Sequence, residues 1–366
     1  MSTGEPAAGS RMRIVVVGAG ITGLLAAVRC VRDGHRVVLL EHGLIPDPGA
    51  TSFDQHRALR ALSVGDPAAT RESAGLHRHW RDLDQLLGGG LYRRVGVLTA
   101  LPADAMDAAL ATAEAAGLPI RVADRAEYPR LGLPAGAGAV FEPHAGVLLA
   151  DRVLQAAARW LRRQPQAELR PGREVVGVRP GSGRVLLADG TAESGDAVLV
   201  TAGPWSAALT GQPVTLHRQT MVYLRPPAEQ AAAWARTPVA GGLGADGRGW
   251  LLPSTAGTLL KVSTDGARRE VAALSDPGDG TPWAERILSS GIVSGVDEHT
   301  VVRVRHCHYA TAPGGTGFTR IGPAVWARPA SGGDGFRTAP QAVAALAAEL
   351  ADADPPAPLT PQGRHP

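Results

Sequence analysis

The sequence predicts an α/β chain in which a parallel, nucleotide-binding sheet is interleaved with an α+β part built on a mostly antiparallel sheet. Three observations lead there. The chain opens with a β-branched run, a glycine turn, a helical stretch and a second apolar run (13–41), which is the pattern of a βαβ unit. No further βαβ units follow directly. Short alternating runs separated by turns fill the middle instead, and a fully apolar run, DAVLVTAG (196–203), returns late, as a buried parallel strand does.

The elements follow in order. RIVVV (13–17) is a buried strand, ITGLLAAVRCVRDG (21–34) a helix stopped by Gly34, and RVVLLE (36–41) a second buried strand. Residues 46–52 form a loop, 54–62 read as a helix, and 77–87 as another. A strand is expected over 91–101, an Ala-rich helix over 103–117, and a strand edge leading into a helix over 146–163. REVVGVRP, RVLLADG and DAVLVTAG are strands with short turns between them. Long strands are expected over 215–226 and 300–313, with GWLLPS and TLLKVSTDG as a strand pair. The closing helix is placed over QAVAALAAEL (341–350), with Thr338 as its cap and Pro340 in its first turn. Residues 1–11 and 353–366 read as tails. The expected nucleotide-binding part is discontinuous (12–88, 146–210 and 300–352), and the second part comprises 89–145 and 211–299.

Composition narrows the function classes. Hydrophobic residues make up 44% and charged residues 19% of 366, which excludes a disordered chain. No apolar run approaches the ~20 residues of a membrane span, and residues 1–10 lack the apolar core of a signal peptide. Two cysteines cannot make a disulfide framework, so a reducing cytoplasm is expected. The 37 basic residues are scattered among 34 acidic ones, without the stripe that nucleic acid requires. Lys261 is the single lysine in the chain; arginine fills every other basic position.

Gly18, Gly20 and Gly23 follow the first strand and open the first helix. Gly18 permits the tight turn, Gly20 lets backbone approach a diphosphate, and Gly23 lets helix pack on strand. The helix N-terminus, with Ile21 and Thr22 in its first turn, favours the phosphates. Glu41 ends the second strand, where a carboxylate binds ribose hydroxyls and repels a 2′-phosphate. An NAD enzyme would continue with further βαβ units, and this chain does not.

The pieces VVVGAGITG…LLEHG, SFDQHRALR, YRRVGVL, FEPHAGVL, DAVLVTAGPWS, LHRQTMVYLRP, TLLKVS, HCHYATAP and SGGDGFR, in that order, resemble the FAD-dependent D-amino-acid oxidase-like superfamily. They are most similar to its monomeric sarcosine oxidase and N-methyl-tryptophan oxidase branch, over roughly residues 13–350. The resemblance implies a Rossmann-like FAD-binding domain and a set of roles. Cys307, in Cys-x-Tyr, is implied to hold the flavin covalently, and Arg303 and Arg305 are placed to favour its thiolate. Cys30, on the apolar face of the first helix, reads as a small buried hydrophobe. His306 and His308 fall on one strand face and Cys307 on the other, a poor metal chelate. Lys261 is implied to lie at flavin N5 and activate oxygen. Its strand is apolar, where an unused charge is costly. Arg60 and Arg337 are implied to clamp a substrate carboxylate. Arg57, one helical turn before Arg60, is expected at the flavin, and Tyr309 in the substrate pocket. Ser52, Val175, Gly203, Trp205, Gly333, Gly335 and Phe336 complete the expected FAD contacts.

The chain departs from the branch pattern at Asp265, Asp334 and Trp250. These acids suit a cationic, bulkier or cyclic amine, as in a biosynthetic pathway. The function implied is an amine oxidase that takes hydride from a C–N bond and passes electrons to O2. The alternatives are a dehydrogenase serving a partner and a flavin-binding protein without turnover. A monomer is expected, with no metal, nucleic acid or membrane partner.

Overall fold

The opening βαβ unit forms as the residue pattern demands. In the computed structural model, which describes residues 11–275 and 281–352, the strands Arg13–Val17 and Arg36–Leu40 pair in parallel, Val15 beside Val38. The helix Ile21–Arg32 buries ten of its twelve residues. It needs so much apolar surface because it is covered on several sides, by the sheet and by the helices Ala150–Arg162 and Gly335–Asp352. Ala197–Val200 joins the other edge of Arg13–Val17, and Ala167–Arg170 the outer edge of Arg36–Leu40. Val325–Ala327 and Thr319–Gly322 complete six strands, parallel except for the last pair. A three-stranded antiparallel sheet (Val175–Arg179, Arg184–Leu187, Ala192–Ser194) contributes to a second apolar cluster with Val15, Val38 and Val198.

The second part is a nine-stranded sheet. Its long strand Thr215–Arg225 pairs along its whole length with Thr300–Thr311. Leu260–Thr264 and Arg268–Glu270 also pair with it, at separate stretches. The sheet continues through Gly249–Leu252, Val239–Leu243, Val97–Leu101, Gly138–Glu142 and Arg121–Val122. Every pairing is antiparallel except Val239–Leu243 with Val97–Leu101. Among the described residues no helix is long and apolar enough to cross a membrane.

Several expectations are corrected. Residues 54–62 are not a helix: Arg57–Leu59 is a strand, held by non-local pairing with Gly146–Leu148. Arg57 and Arg60 are therefore not stacked one helical turn apart. The helix expected from 77 begins at Pro67 and runs to Leu86, capped by Asp66, whose carboxylate accepts the Ala69 N–H at 2.9 Å. The single strand expected over 91–101 is two, Tyr92–Arg93 and Val97–Leu101, in different sheets. Thr300–Thr311, expected with the nucleotide-binding part, belongs to the large antiparallel sheet. The last helix starts at Gly335, so Thr338 is not its cap and Pro340 lies inside it. The tails expected over 1–11 and 353–366 lie outside the described residues, apart from residue 11.

Candidate active site

One cavity of about 980 Å³ is lined by residues of both large sheets. At its nucleotide end stands the glycine turn. Gly18 has φ +95°, and a Cβ there would sit 2.8 Å from Ala202 Cα. A Cβ on Gly23 would lie 1.9 Å from the Gly18 carbonyl oxygen, so only glycine lets the helix start this close to the strand. No side chain caps the helix at Gly20, which leaves N–H groups of its first turn for an anion. Ser52 Oγ takes the Ile21 N–H at 3.0 Å. Glu41 is buried at the strand end. Its carboxylate accepts the Ala19 N–H at 2.7 Å and lies 2.5 Å from His42 Nδ1. Gly18, Gly20, Ile21, Thr22, Glu41 and Ser52 line the cavity; Gly23 stands behind it in its packing role.

Val175, Gly203 and Trp205 line the wall beyond, with Trp205 44% exposed and 6.2 Å from the His42 ring. Gly333, Gly335 and Phe336 bring the N-terminus of the last helix to the cavity, and Phe336 stacks on Trp80 at 5.6 Å. The dipole of that helix, which starts at Gly335, therefore favours negative charge there.

The second sheet supplies the chemistry-bearing side chains. Lys261 lies in strand register with Tyr223 and Leu252 and is 2% exposed. Its Nζ donates to Asp54 Oδ2 at 2.9 Å and to the His56 carbonyl at 2.7 Å. Arg57 also donates to Asp54 Oδ2, and the Tyr223 hydroxyl donates to Oδ1 at 2.7 Å. The charge expected to stand unused except by a flavin is thus paired within the protein. Burial drives the Lys261 ammonium down to about 8, against the pull of Asp54. Burial pushes Asp54 up, yet Lys261 and Arg57 together hold it well below the usual carboxylate range. Asp54, His56 and Tyr223 were not singled out from the sequence. The available signal was an acid two residues after Ser52 inside the SFDQHRALR piece.

Cys307 keeps one face toward the cavity, opposite Gln219 in the sheet, while His306 meets Thr220 Oγ1 at 2.9 Å. Burial raises the Cys307 thiol above its ordinary value, and Arg57 opposes this most strongly. Arg305 also lowers it, as expected from the sequence, while donating to the Phe53 and Ala50 carbonyls; Arg303, by contrast, is exposed. Cys30 is buried, with its thiol pushed up to about 12, as suits an inert core residue.

Arg60 and Arg337 both line the cavity. Burial lowers the Arg337 guanidinium, Asp334 at 2.8 Å supports it, and Arg60 pushes it down further, so the two arginines feel each other's charge. Arg337 Nε is buried without a hydrogen-bond partner among the described residues. Asp334, expected to attract a cationic amine, instead pairs with Arg337. Tyr309 lines the cavity and stacks on His217 at 5.2 Å, and Trp250 and the exposed Asp265 stand nearby.

This geometry defines a dinucleotide-binding protein whose second sheet encloses an arginine-lined chamber beside the nucleotide site. Residues 13–350 match the family described as DAO, FAD dependent oxidoreductase, and the chain belongs to that family. It is 27% identical to human peroxisomal sarcosine oxidase over 200 residues, 52% of this chain and 50% of that protein. It is 25% identical to a monomeric sarcosine oxidase of Bacillus sp. over 211 residues, 54% and 52% of the two. The chain thus spans about half the length of the curated relatives it matches. Two solved structures share the fold. Amadoriase II, a fructosamine oxidase from Aspergillus fumigatus, has a TM-score of 0.75 at 17% identity, covering 94% of this chain and 88% of that one. NikD, an amino acid oxidase of nikkomycin biosynthesis, has a TM-score of 0.74 at 17% identity, covering 98% and 96%. The uncapped glycine turn, Glu41 and the Gly335 helix terminus fit the two ends of FAD.

Proposed function

We propose that this chain is an FAD-dependent amine oxidase acting on the C–N bond of an amino acid or a secondary or cyclic amine, with O2 as acceptor and imine and H2O2 as products. The carrying observation is that Arg60, Arg337 and Lys261 line the same cavity as the dinucleotide turn. Bound FAD would supply the hydride acceptor for the amine and the route for its electrons to O2. Arg60 and Arg337 bind and orient the substrate carboxylate, the buried unpartnered Nε of Arg337 being one donor. Lys261 holds a cation in a water-poor setting, which lowers a barrier only where negative charge develops, as it does when O2 accepts an electron. Tyr309 and Trp250 wall the substrate space. Cys307 holds the cofactor covalently, with Arg57 as the cation that favours its thiolate. The names of the relatives, sarcosine oxidases and fructosamine and amino acid oxidases, support an amine substrate.

The test is an anaerobic screen of N-methyl amino acids, proline homologues and cyclic imines that follows the flavin's visible absorbance. Bleaching by an amine and recolouring by air are expected. Lys261→Met should bleach normally and recolour about 10²–10³-fold more slowly, the usual effect of losing one preorganised charge. A protein that bleaches but never recolours in air is a dehydrogenase, and one that no amine bleaches is not an amine oxidase.

A further inference from the structure

A buried cation stands behind the nucleotide turn. Arg328 follows the strand Val325–Ala327 and is 2% exposed. Its Nε donates to the Thr316 carbonyl at 2.6 Å, and its Nη1 to Thr22 Oγ1 at 2.8 Å and the Gly335 carbonyl at 3.5 Å. Its Nη2 donates to Thr338 Oγ1 at 3.1 Å. All four acceptors are neutral. Lys261 and Arg57 share Asp54, and Arg337 has Asp334. Arg328 has no carboxylate partner among the described residues, and burial alone pushes its guanidinium down to about 10.

Its surroundings make the imbalance larger. Thr22 is the second residue of the helix Ile21–Arg32, and Gly335 and Thr338 lie in the first turn of the helix Gly335–Asp352. Both helices point their positive ends at this place, so their dipoles add to the guanidinium charge. Neutral oxygens satisfy the N–H groups but do not cancel the charge, and an uncompensated buried ion costs several kcal/mol. The fold therefore has room here for negative charge that the described residues do not supply. The family's cofactor carries it: the diphosphate of FAD brings two negative charges to the glycine turn. Thr22 lines the cavity and takes the shortest of the two Nη1 bonds.

We infer that Arg328 is the counter-charge for the FAD diphosphate, a positioning residue that acts through Thr22 from one layer behind the cavity wall. The inference rests on FAD as the family's cofactor and is independent of which amine is oxidised. It separates two roles by sign. A strut stabilises the protein whether or not the nucleotide is present. A counter-charge strains the protein without the nucleotide and stabilises it with the nucleotide.

The test uses full-length protein freed of flavin in a Cys307→Ala background. ADP, which carries the diphosphate, and adenosine, which does not, are titrated by calorimetry. Arg328→Met should weaken ADP about 5- to 30-fold, the range for a charge acting at a partly buried helix terminus. Adenosine binding should be unchanged, and Arg328→Lys should recover most of the ADP affinity. The melting temperature without nucleotide should hold or rise, and the gain on adding FAD should shrink. Equal losses for ADP and adenosine, or unchanged ADP affinity, would overturn the inference. So would a fall in melting temperature that is the same with and without FAD. If Arg328→Met does not fold, Arg328→Gln keeps hydrogen-bonding groups without the charge. ADP binding at the original strength in that variant would equally overturn it.

Discussion

Replacing Asp54 by Asn removes one charge from the centre of the site and leaves its shape. Asp54 is 4% exposed and accepts from Lys261, Arg57, Tyr223 and the Gln55 N–H. The amide still accepts from Tyr223 and Gln55, but its NH2 or its neutral oxygen now faces two cations. Breaking a buried pair by removing one partner costs about 3–5 kcal/mol. Lys261 can escape that cost by releasing its proton, and Arg57 cannot. At about 1.4 kcal/mol per pKa unit, the Lys261 value should drop by about two units or more from its present value of about 8. The sign follows. Lysine is charged below its pKa, so in the native protein the proposed Lys261-dependent step should be full below about 8 and decline as pH rises through that value. In Asp54→Asn the decline moves to lower pH, and at pH 7 the lysine is neutral. Stopped-flow reoxidation in air, from pH 5 to 10, reads this directly. Asp54→Asn should be slowed at least about 10-fold at pH 7, toward the rate of Lys261→Met, and regain speed in acid while Lys261→Met does not. A midpoint at or above the native one would refute the argument, because Asp54 would then not be what keeps the lysine charged.

Other outcomes follow from the same geometry. Arg60→Met and Arg337→Met should each weaken binding of a carboxylate-bearing amine by about 1.5–3 kcal/mol, and of its decarboxylated analogue by less. Equal losses measured by anaerobic titration would show that neither arginine reads the carboxylate. In denaturing gels flavin fluorescence should migrate with the polypeptide, vanish from it in Cys307→Ala and remain in Cys30→Ala. Flavin that comes free from the unmodified protein would remove the covalent bond and leave the oxidase. His56 is fully buried, its Nε2 3.0 Å from the Pro253 carbonyl, with its imidazole pushed down to about 3 by burial and by Lys261. Unfolded, it takes up a proton near 6.5, so its contribution is present above that pH and is lost as pH falls. Between pH 7 and 5 denaturant unfolding should show about 2 kcal/mol of loss from this residue. His56→Gln should lack that increment, and an identical pH slope in both proteins would count against it.

Much of this site is local in sequence, and there the residues were enough. The run from Arg13 to Glu41 folds as it reads because strand, turn and helix are each specified by neighbours in the chain: β-branched residues, glycines at Gly18 and Gly23, and apolar spacing. Lys261 was visible through composition alone, as the one lysine where arginine is otherwise used. The start of the helix at Pro67 was also legible, since Asp66 before Pro67 is a cap signal. It was masked by the weak apolar periodicity of the next turns. The tertiary structure decided the rest, wherever a partner arrives from far along the chain. Residues 57–59 carry a helix-compatible pattern but become a strand because Gly146–Leu148 offers hydrogen bonds some ninety residues later. The last helix begins at Gly335 rather than beside Thr338, which instead bonds Arg328. Asp54 meets Lys261 across 207 residues, and Arg328 meets Thr22 across 306. No local pattern marks such pairs. A buried charge is tolerable only for what surrounds it, and its surroundings exist only once the chain has folded.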